Sequence, residues 1–425
     1  MGHIVVPLKV YLFTHHFPFT EVSEIFLAEE LRCAATLPNV ELILIPFKRE
    51  RSLSLSLPAN VVVDTSIIKR VTAFRLWKLF FFLFRVTFWL FLIQVLWRYV
   101  LRFRRVPYIL LARYLRAEYV ADFVVNKVAS GQENILYSYW LDEALAGFSL
   151  ARRRRRELVC NLCISRAHGY DFRTPKTLFP FRSMSLRGVD RVVCASRYGV
   201  REVEAQYPEL GGRCVFSPLG VQDLQKEGRR QEEGRGFQFV SCSNLVRLKR
   251  VGLIFDCVNA FARHHPNDLV FWTHFGDGVE RVELERHIEG TQTSNLSVSL
   301  RGAQANAVVR DYLGGLGQAI MVNLSESEGG IPVSLQEALA SGLPLVVSRV
   351  GGNPEAVDPQ CGELLSGNPT PSEFLQAVER IWGRYPFYAS NARKKYEECF
   401  LSERNFTLFY KELHLWSSEK RQLSL

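Results

Sequence analysis

The chain has 425 residues, of which 48% are hydrophobic and 23% charged, a composition that indicates a globular protein and excludes a disordered one. This length exceeds one ordinary hydrophobic core, so we expect two domains of roughly 100–200 residues each. The net charge is +10, the nine cysteines are dispersed, and no secretory signal pattern opens the sequence. The dispersed cysteines and the missing signal pattern predict a reducing, cytoplasmic compartment.

The first half of the chain alternates buried runs with helical patterns. Six runs have the pattern of strands: "KVYLFT", "VELILIPF", "NILYSYW", "LVCNLCIS", "RVVCAS" and "CVFSPLG". One of them contains the pair Cys160 and Cys163 in a CxxC spacing without a second pair. We therefore favour structural cysteines over the alternative of a zinc site.

Positive charge is concentrated between Thr65 and Ala117, where eleven Lys and Arg residues occur without any Asp or Glu. The segment encloses an apolar, aromatic run, Leu79–Trp97. A nucleic-acid-binding patch would interleave basic residues with polar and aromatic ones, so this run argues against nucleic acid as a partner. Three interpretations stay open: an anchor lying in a membrane interface, a transmembrane helix, or a buried or oligomer-forming helix.

The position of this run favours the in-plane anchor. It falls between two predicted strands of one sheet, and a single crossing would place those strands on opposite sides of the bilayer. Arg85, inside the run, would also be costly in lipid. We therefore predict a membrane-associating segment at about 70–106 that lies on an anionic membrane surface.

Two charged stretches follow. Arg152–Arg156 come after a helical pattern and predict a solvated helix C-terminus, with contact to an anionic lipid or phosphate as the alternative. Asp223–Gly236 combine charges with three glycines and only one apolar core residue, which is typical of a linker.

The second half repeats the strand–helix alternation. Its predicted strands are "FQFVSCS", "LVFWTHFG", "LSVSLRG", "AIMVNLS" and "LPLVVSRVGG". Alternation in both halves predicts two parallel α/β domains with helices on both faces of each sheet. In such sheets, ligands bind at the carboxyl ends of the strands.

The stretch Asn323–Val347, "NLSESEGGIPVSLQEALASGLPLVV", contains the richest chemistry. Pro332 suits the first turn of a helix that runs to about Ser341, and such a helix N-terminus binds phosphate. Carboxylates do not bind phosphate but accept hydrogen bonds from vicinal hydroxyls. Glu328 and Glu337 near this terminus therefore suggest a nucleotide sugar, the alternative being one capping and one exposed glutamate.

The segment "SESEGGIPVSLQEALASGLPLVVSRVGG" resembles the carbohydrate-binding signature of retaining glycosyltransferases of the GT-B fold, in glycosyltransferase family 4. Motifs earlier in the chain are similar to those of a bacterial branch that builds surface polysaccharides: "HHFPFTEVSEIFLAEEL", "ILYSYW", "ISRAHGYDF", "FPFRS", "SPLGV", "VSCSNLVRLKRVGLIFDCVNAF" and "WTHFGDG". The resemblance covers roughly His15 to Leu365. It implies two Rossmann-like domains that face each other across a cleft.

The resemblance also implies residue roles. His168 matches the acceptor-side histidine near the donor sugar, with a structural histidine as the alternative, and Lys249 matches the lysine on the diphosphate. Glu328 matches the glutamate on the donor-sugar hydroxyls and Glu337 the one on the ribose. Further predicted donor contacts are Arg247, Gly276, Gly329, Gly330, Ile331, Pro332 and Val333.

Three departures from the family pattern stand out. Asn244 occupies the position where the family has an Arg, and Arg247 is close enough in sequence to substitute. Eight residues instead of seven separate the two glutamates, because Gly329–Gly330 stand where one Gly is expected. The N-terminal loop "FPFTEVSE" also lacks the usual glycines.

No two aspartates lie two positions apart, so the DxD element of metal-dependent transferases is absent from this sequence. We therefore expect no metal and no cofactor beyond the nucleoside diphosphate sugar as co-substrate. Positive charge for the leaving diphosphate is then expected from Lys249, Arg247 and the helix N-terminus at Ile331–Ser334. His168, Lys249 and Glu328 are the predicted catalytic residues.

The sequence thus predicts a metal-independent, retaining glycosyltransferase that acts on a saccharide or lipid-linked acceptor in bacterial capsular, exo- or lipopolysaccharide synthesis. Its expected location is cytoplasmic, peripheral on the inner face of the cytoplasmic membrane. The expected domains are 1–225 for the acceptor, 236–385 for the donor, and a helical segment 386–425 that can pack back on the first domain. The alternatives are a nucleotide-sugar epimerase of the same fold and a catalytically impaired homologue that acts as a partner subunit.

Overall fold

The structure is a computed structural model that describes residues 8–19, 24, 26–49, 57–72, 84–99, 106–128, 134–169, 171, 182–224 and 236–422. The chain forms two compact units. The first unit comprises Met1–Ala195, Gly199–Ser217 and Phe406–Leu425, and the second comprises Ser196–Tyr198 and Pro218–Asn405.

The sheet of the first unit is parallel, with the strand order β3-β2-β1-β4-β5-β6-β7. Its strands are β1 (Leu8–Thr14), β2 (Val40–Pro46), β3 (Val61–Val63), β4 (Asn134–Ser138), β5 (Leu162–Ala167), β6 (Arg191–Cys194) and β7 (Cys214–Phe216). β4 and β5 are buried throughout, as expected for parallel strands covered on both faces.

Helices connect these strands. They are α1 (Leu27–Ala34), α2 (Ser66–Thr72), α3 (Val86–Tyr99), α4 (Val106–Lys127), α5 (Glu143–Arg154), α6 (Arg182–Gly188) and α7 (Arg197–Gln206). The Asp142 side chain caps α5 by accepting a 3.0 Å hydrogen bond from the amide of Ala144.

The sheet of the second unit is also parallel, in the order β10-β9-β8-β11-β12-β13. Its strands are β8 (Phe237–Cys242), β9 (Val270–Phe275), β10 (Leu296–Leu300), β11 (Ile320–Asn323), β12 (Leu345–Ser348) and β13 (Gly362–Leu365). The helices are α8 (Val251–His264), α9 (Arg281–Thr291), α10 (Asn306–Gly315), α11 (Val333–Ala340), α12 (Asn353–Ala356), α13 (Pro371–Trp382), α14 (Tyr385–Cys399) and α15 (Ser402–Gln422).

The prediction of two parallel α/β domains is confirmed, and each predicted strand run contains a strand. Two strands at the edges of the sheets, β3 and β13, escaped the prediction. In "LVCNLCIS" the strand begins only at Leu162, because Arg156–Cys160 form a 3-10 turn. Most of the predicted linker, residues 225–235, lies outside the described residues.

Of the predicted membrane-associating segment, residues 73–83 and 100–105 lie outside the described residues, whereas α3 is described. No helix in the described part of the chain has the length and apolar character needed to cross a membrane.

The arginine run at the end of α5 makes specific ion pairs within the first unit. Arg152 donates to Asp190 at 2.8 Å, and Arg154 contacts Glu118 and Asp122 at 2.5 and 2.9 Å. Arg153 and Arg156 are exposed. The prediction of a solvated helix end was therefore wrong for Arg152, which is half-buried in its ion pair with Asp190, whereas Arg154 is exposed despite its acidic partners.

A buried charge cluster ties α1 and α15 to the first sheet. Arg166 of β5 is fully buried, with its Nη2 3.5 Å from the Glu30 carboxylate of α1. Its Nε donates to the Tyr137 hydroxyl at 2.8 Å, and its guanidinium lies 4.6 Å from the ring centre of Phe409 in α15. Removing one member of such a pair leaves an uncompensated buried charge.

We expect Arg166→Met to lower the free energy of unfolding by about 3–5 kcal/mol near neutral pH, because Glu30 is left buried without its cation. The loss should shrink in acid. Burial already raises the pKa of Glu30, and the orphaned carboxyl takes up a proton as the pH falls. Urea titrations followed by circular dichroism near neutral and at mildly acidic pH measure both effects.

The matched control is Arg201→Met, on the exposed face of α7, which should change the free energy of unfolding by less than about 0.5 kcal/mol. Equal losses for the two variants would contradict the structural role of the cluster.

Candidate functional site

The loop after β8 positions Lys249. Arg247–Lys249 form a 3-10 turn, and Arg250 follows with φ +46°, a left-handed conformation that is uncommon for a non-glycine residue. The Arg250 side chain holds this conformation by donating from Nε to the Leu324 carbonyl at 2.7 Å and from Nη2 to the Ser325 carbonyl at 2.8 Å. The turn that carries Lys249 is therefore fixed against the end of β11.

Lys249 and Glu328 form a direct ion pair. The Lys249 Nζ lies 2.6 Å from Oε1 of Glu328, whose side chain is nearly buried. The same Oε1 accepts hydrogen bonds from the Ser325 hydroxyl at 2.7 Å and the Asn323 amide at 3.3 Å. All three donors use one oxygen, and Oε2 accepts no hydrogen bond from the described residues. This second oxygen is thus the acceptor that a ligand hydroxyl can use.

A tight backbone contact supports the Glu328 loop from behind. Gly351 has φ +53°, and a Cβ at this position would lie 1.7 Å from the Glu328 carbonyl oxygen. Only glycine fits both requirements. Gly329 is buried in the same loop, whereas Gly330 is half-buried.

The loop leads into α11. Pro332 is the N-cap and supplies no side-chain hydrogen bond, and Val333 and Ser334 of the first turn are half-buried. Ile331 is buried, as are Leu335 and Leu339 on the core side. The first amides of this helix therefore lack a side-chain cap, and helix ends of this kind can bind anions.

Glu337 is buried on α11. Its carboxylate accepts a 2.8 Å hydrogen bond from the Asn306 amide of α10. Burial raises the pKa of Glu337 against the opposing effects of Asn306 and Arg310. Asn306, Ser325 and Asn323 were not predicted as site residues. The sequence marks them only weakly. Asn323 ends β11, Ser325 follows that strand, and Asn306 begins α10.

Arg247 and Gly276, the other predicted donor contacts, make no hydrogen bond or ion pair with Lys249 or Glu328 in the part of the chain that the structure describes. Arg247 is exposed and lines a cavity of about 580 Å³, together with Arg250, Glu283 and His287. Lys249 does not line this cavity. Asn244 is exposed. Gly276, at the end of β9, has φ +137°, and a Cβ there would lie 1.8 Å from the Ser243 carbonyl oxygen, so it allows the loops after β8 and β9 to pack together.

His168 follows β5 in the first unit. Its ring packs against Phe26, Tyr139 and Trp140, with ring centres 4.8–5.3 Å apart. Burial, and then the charge of Arg166, lowers the pKa of His168 to about 3, so the imidazole is neutral near pH 7. The ring makes a hydrogen bond to the backbone of Tyr139. Its Nε2 is buried without a partner among the described residues.

Asp171 fixes the backbone around His168. Its carboxylate accepts hydrogen bonds from the amides of His168 at 2.7 Å and Leu141 at 3.1 Å. Arg182 donates to the carbonyls of Leu141 and Asp171. Burial raises the pKa of Asp171 to about 7. The loops after β4 and β5 are therefore joined through one carboxylate.

An ion pair between His15 and Asp142, which the sequence analysis did not predict, lies at the same end of the first sheet as His168. His15 follows β1, and its Nε2 lies 2.6 Å from Oδ2 of Asp142. Burial alone would lower the pKa of His15, but the hydrogen bond and charge of Asp142 raise it to about 9. The His15 ring stacks on Trp140, with the ring centres 6.0 Å apart.

One ligand atom each from His15, Asp142 and Glu143 lie within 4.8 Å of one another, a spacing that a metal ion can use. The charges of these groups are already matched, because Asp142 pairs with His15 and Glu143 contacts Arg116. The arrangement therefore fits an ion-pair network.

The second unit is an α/β domain in which the start of α11, Lys249 and the carboxylates of Glu328 and Glu337 lie beyond the strand ends. Residues 236–384 match the family model described as glycosyl transferases group 1. This part of the chain is therefore similar to group 1 glycosyl transferase domains.

A curated relative is one subunit of the phosphatidylinositol N-acetylglucosaminyltransferase from Arabidopsis thaliana. It is 26% identical over 206 residues, which cover 46% of this chain and 42% of the relative. The chain thus spans less than half the length of that curated relative.

Solved structures resemble nearly the whole chain. The lipopolysaccharide outer core galactosyltransferase WaaB has a TM-score of 0.63 at 16% identity, over 95% of this chain and 99% of that one. HepE from Anabaena, in complex with UDP and glucose, has a TM-score of 0.60 at 15% identity, over 96% and 99%. These likenesses show the fold, which is GT-B with two Rossmann-like domains.

We expect Gly351→Ala to displace the Glu328 loop from Lys249, because the added methyl group has no room against the Glu328 carbonyl. The free energy of unfolding should fall by about 1–3 kcal/mol. Thermal melting measures the effect. The matched control is Gly290→Ala in α9, where a Cβ meets no atom within 4 Å. This control should be neutral or stabilising, and equal destabilisation of both variants would refute the packing argument.

Proposed function

We propose that the chain is a retaining glycosyltransferase that moves a sugar from a nucleoside diphosphate sugar to a hydroxyl of a saccharide or lipid-linked acceptor. The observation that carries the proposal is the Lys249–Glu328 ion pair beside the start of α11, inside the segment that matches the group 1 glycosyl transferases. HepE, which shares the fold, is described with UDP and glucose bound, and this supports a nucleotide sugar as co-substrate.

The diphosphate part of the proposal assigns the leaving group to Lys249 and the first amides of α11. Negative charge builds on the diphosphate as the anomeric bond breaks, and preorganised cations and amides stabilise that charge most in the transition state. Ile331, Pro332 and Val333 shape this end of the helix, and Gly329 and Gly330 let the ligand approach the backbone.

Glu328 and Glu337 accept hydrogen bonds from the hydroxyls of the donor in this proposal. Glu337 is held by Asn306 and has carboxylate capacity left for the vicinal hydroxyls of the ribose. Glu328 uses Oε1 for Lys249, so Oε2 can accept from a donor-sugar hydroxyl. We include Arg247 and Gly276 in the donor site as the sequence resemblance implies.

In the proposed reaction, the acceptor oxygen attacks the anomeric carbon on the face from which the diphosphate leaves. The new carbon–oxygen bond forms as the bond to the diphosphate breaks, and the acceptor proton passes to the leaving diphosphate oxygen. We assign no metal ion to this step, because Lys249 and the helix end supply the positive charge.

His168 takes the acceptor-side role. Its neutral imidazole hydrogen-bonds to the Tyr139 backbone, so the buried Nε2 is available to a sugar or acceptor hydroxyl. The aromatic rings of Phe26, Tyr139 and Trp140 limit the rotation of the ring and therefore favour one orientation.

We place the enzyme in the cytoplasm, peripheral on the inner face of the cytoplasmic membrane, in bacterial capsular, exo- or lipopolysaccharide synthesis. The shared fold of a lipopolysaccharide galactosyltransferase supports the polysaccharide part of this assignment. The partial similarity to a plant transferase named for phosphatidylinositol supports a lipid-linked acceptor. The exposed Asn244, where the family pattern has an Arg, favours a second candidate, a catalytically impaired partner subunit.

A panel of nucleotide sugars, incubated with and without saccharide and lipid-linked acceptors, separates these functions. A donor ligand at about 100 times its dissociation constant should add about 2.7 kcal/mol to the free energy of unfolding. Transfer that requires an acceptor supports the proposal. Binding without any turnover supports the partner subunit, and interconversion of the sugar without an acceptor supports the epimerase.

We expect Lys249→Met to lower kcat by about 10²–10³, because it removes one preorganised positive charge from the leaving group. Steady-state kinetics with the best donor measure the effect. The matched control is Lys394→Met, an exposed lysine of α14 whose partner Glu398 is also exposed, and it should keep normal turnover. Near-normal turnover of Lys249→Met would contradict the proposed contact of Lys249 with the diphosphate.

We expect nucleoside diphosphate affinity to weaken as the pH falls through the raised pKa of Glu337, because the ribose hydroxyls need the ionised carboxylate. Glu337→Gln should weaken binding by about tenfold or more and lose this part of the pH dependence. Calorimetry with UDP across the acidic range measures both. Protonation of the UDP phosphates affects the wild type and Glu337→Gln equally, so it does not contribute to the difference between them. Parallel pH profiles for the two proteins would contradict the ribose role of Glu337.

A further inference from the structure

The α3 helix carries an exposed apolar stripe. Val86, Trp89, Leu90 and Ile93 occur at positions i, i+3, i+4 and i+7, which lie on one face of a helix. Their exposed fractions run from 49% to 74%, an unusual exposure for four neighbouring apolar side chains. We call these four residues the apolar stripe.

The other side of α3 is held to the first unit by polar contacts. Arg85, just before the helix, pairs with Glu118, and its Nη2 lies 3.4 Å from Asp122. The Thr87 hydroxyl donates to Glu118 at 2.9 Å. Phe88 is buried, with its ring centre 6.0 Å from that of Tyr114. These contacts determine which face of α3 is turned outward.

The ion pairs beneath α3 are locally neutral. Glu118 is fully buried and contacts both Arg85 and Arg154, while Asp122 contacts the same two arginines. Two cations therefore meet two anions, and this cluster attracts no further anion. Any attraction for a charged partner must come from other residues of the segment.

The sequence around the stripe supplies that attraction. Residues 65–117 contain eleven Lys and Arg and no Asp or Glu. Arg85, Arg113 and Arg116 contact acidic residues, whereas Lys69 and Arg70 of α2 are exposed. A second copy docking through the same face would bring two such basic segments together at a cost in repulsion. An anionic bilayer surface complements the charge and accepts the apolar side chains.

We propose that the apolar stripe of α3 is a docking surface for an anionic lipid bilayer, in which the helix lies parallel to the membrane plane. At about 1.5 Å per residue, the 14 residues of α3 extend about 21 Å. Held by Arg85 and Thr87, the helix inserts only its outer face, while the folded unit stays outside the hydrocarbon. This inference deepens the lipid-linked acceptor part of the proposed function, on which it rests.

The test is flotation of the full chain with vesicles of neutral phosphatidylcholine, and of phosphatidylcholine mixed with anionic phosphatidylglycerol. We expect the wild-type chain to bind the anionic vesicles at least tenfold more tightly than the neutral ones, with binding weakened by salt. The double variant Leu90→Gln/Ile93→Gln should lose at least tenfold in binding to the anionic vesicles.

The matched control is Val279→Gln/Val282→Gln, which replaces two exposed valines of the second unit. It should bind vesicles as the wild-type chain does. Circular dichroism melting of both variants checks the fold, and the Lys69→Glu/Arg70→Glu variant provides a second measurement that leaves α3 intact. This charge variant should also bind anionic vesicles more weakly.

Unchanged vesicle binding of the stripe variant would overturn the proposal. A wild-type chain that ignores vesicles but forms a dimer, which the stripe variant breaks in light scattering, would also overturn it and assign the stripe to a second copy. Failure of the docking surface and failure of the transferase assignment are distinguishable, because UDP binding by the stripe variant is measured in parallel. Vesicle binding without any sugar transfer would leave the docking surface intact and remove the proposed function.

Discussion

Parallel pairing of every described strand is the constraint on which the rest of the structure depends. Because the strands of each sheet run the same way, all their carboxyl ends meet at one edge, and the loops there can combine residues from distant parts of the chain. In the second unit, Lys249 follows β8, Gly276 follows β9 and Glu328 follows β11. In the first, His15 follows β1 and His168 follows β5. The buried strands beneath hold these loops in place.

Burial then gives similar side chains different chemistry. Glu328 stands beside a lysine and two further hydrogen-bond donors, whereas Glu337 is buried with a neutral amide and has a raised pKa. The first unit shows the same contrast between histidines. His168 is kept neutral by burial and by Arg166, while His15 is kept charged by Asp142. Each environment comes from the packing around the residue and not from the residue type.

Hydrophobic runs were enough to predict the strands inside both sheets, because such strands are covered on both faces. β3 and β13, which are short edge strands, were missed, whereas the edge strands β7 and β10 were predicted. The Lys249–Glu328 contact joins residues 79 positions apart, so local patterns could not reveal it. The same holds for the hydrogen bond of Asn306 to Glu337. The apolar run was recognised from composition, but the contacts of Arg85 with α4 depend on the tertiary fold.

The measurement that tests the central claim most directly is an experimental structure of the full chain with UDP bound. The account predicts that the diphosphate contacts the Lys249 ammonium and the first amides of α11, with the ribose hydroxyls on Glu337. A nucleotide bound without contact to α11, with Lys249 still paired to Glu328 and Glu337 without ligand contact, would contradict it.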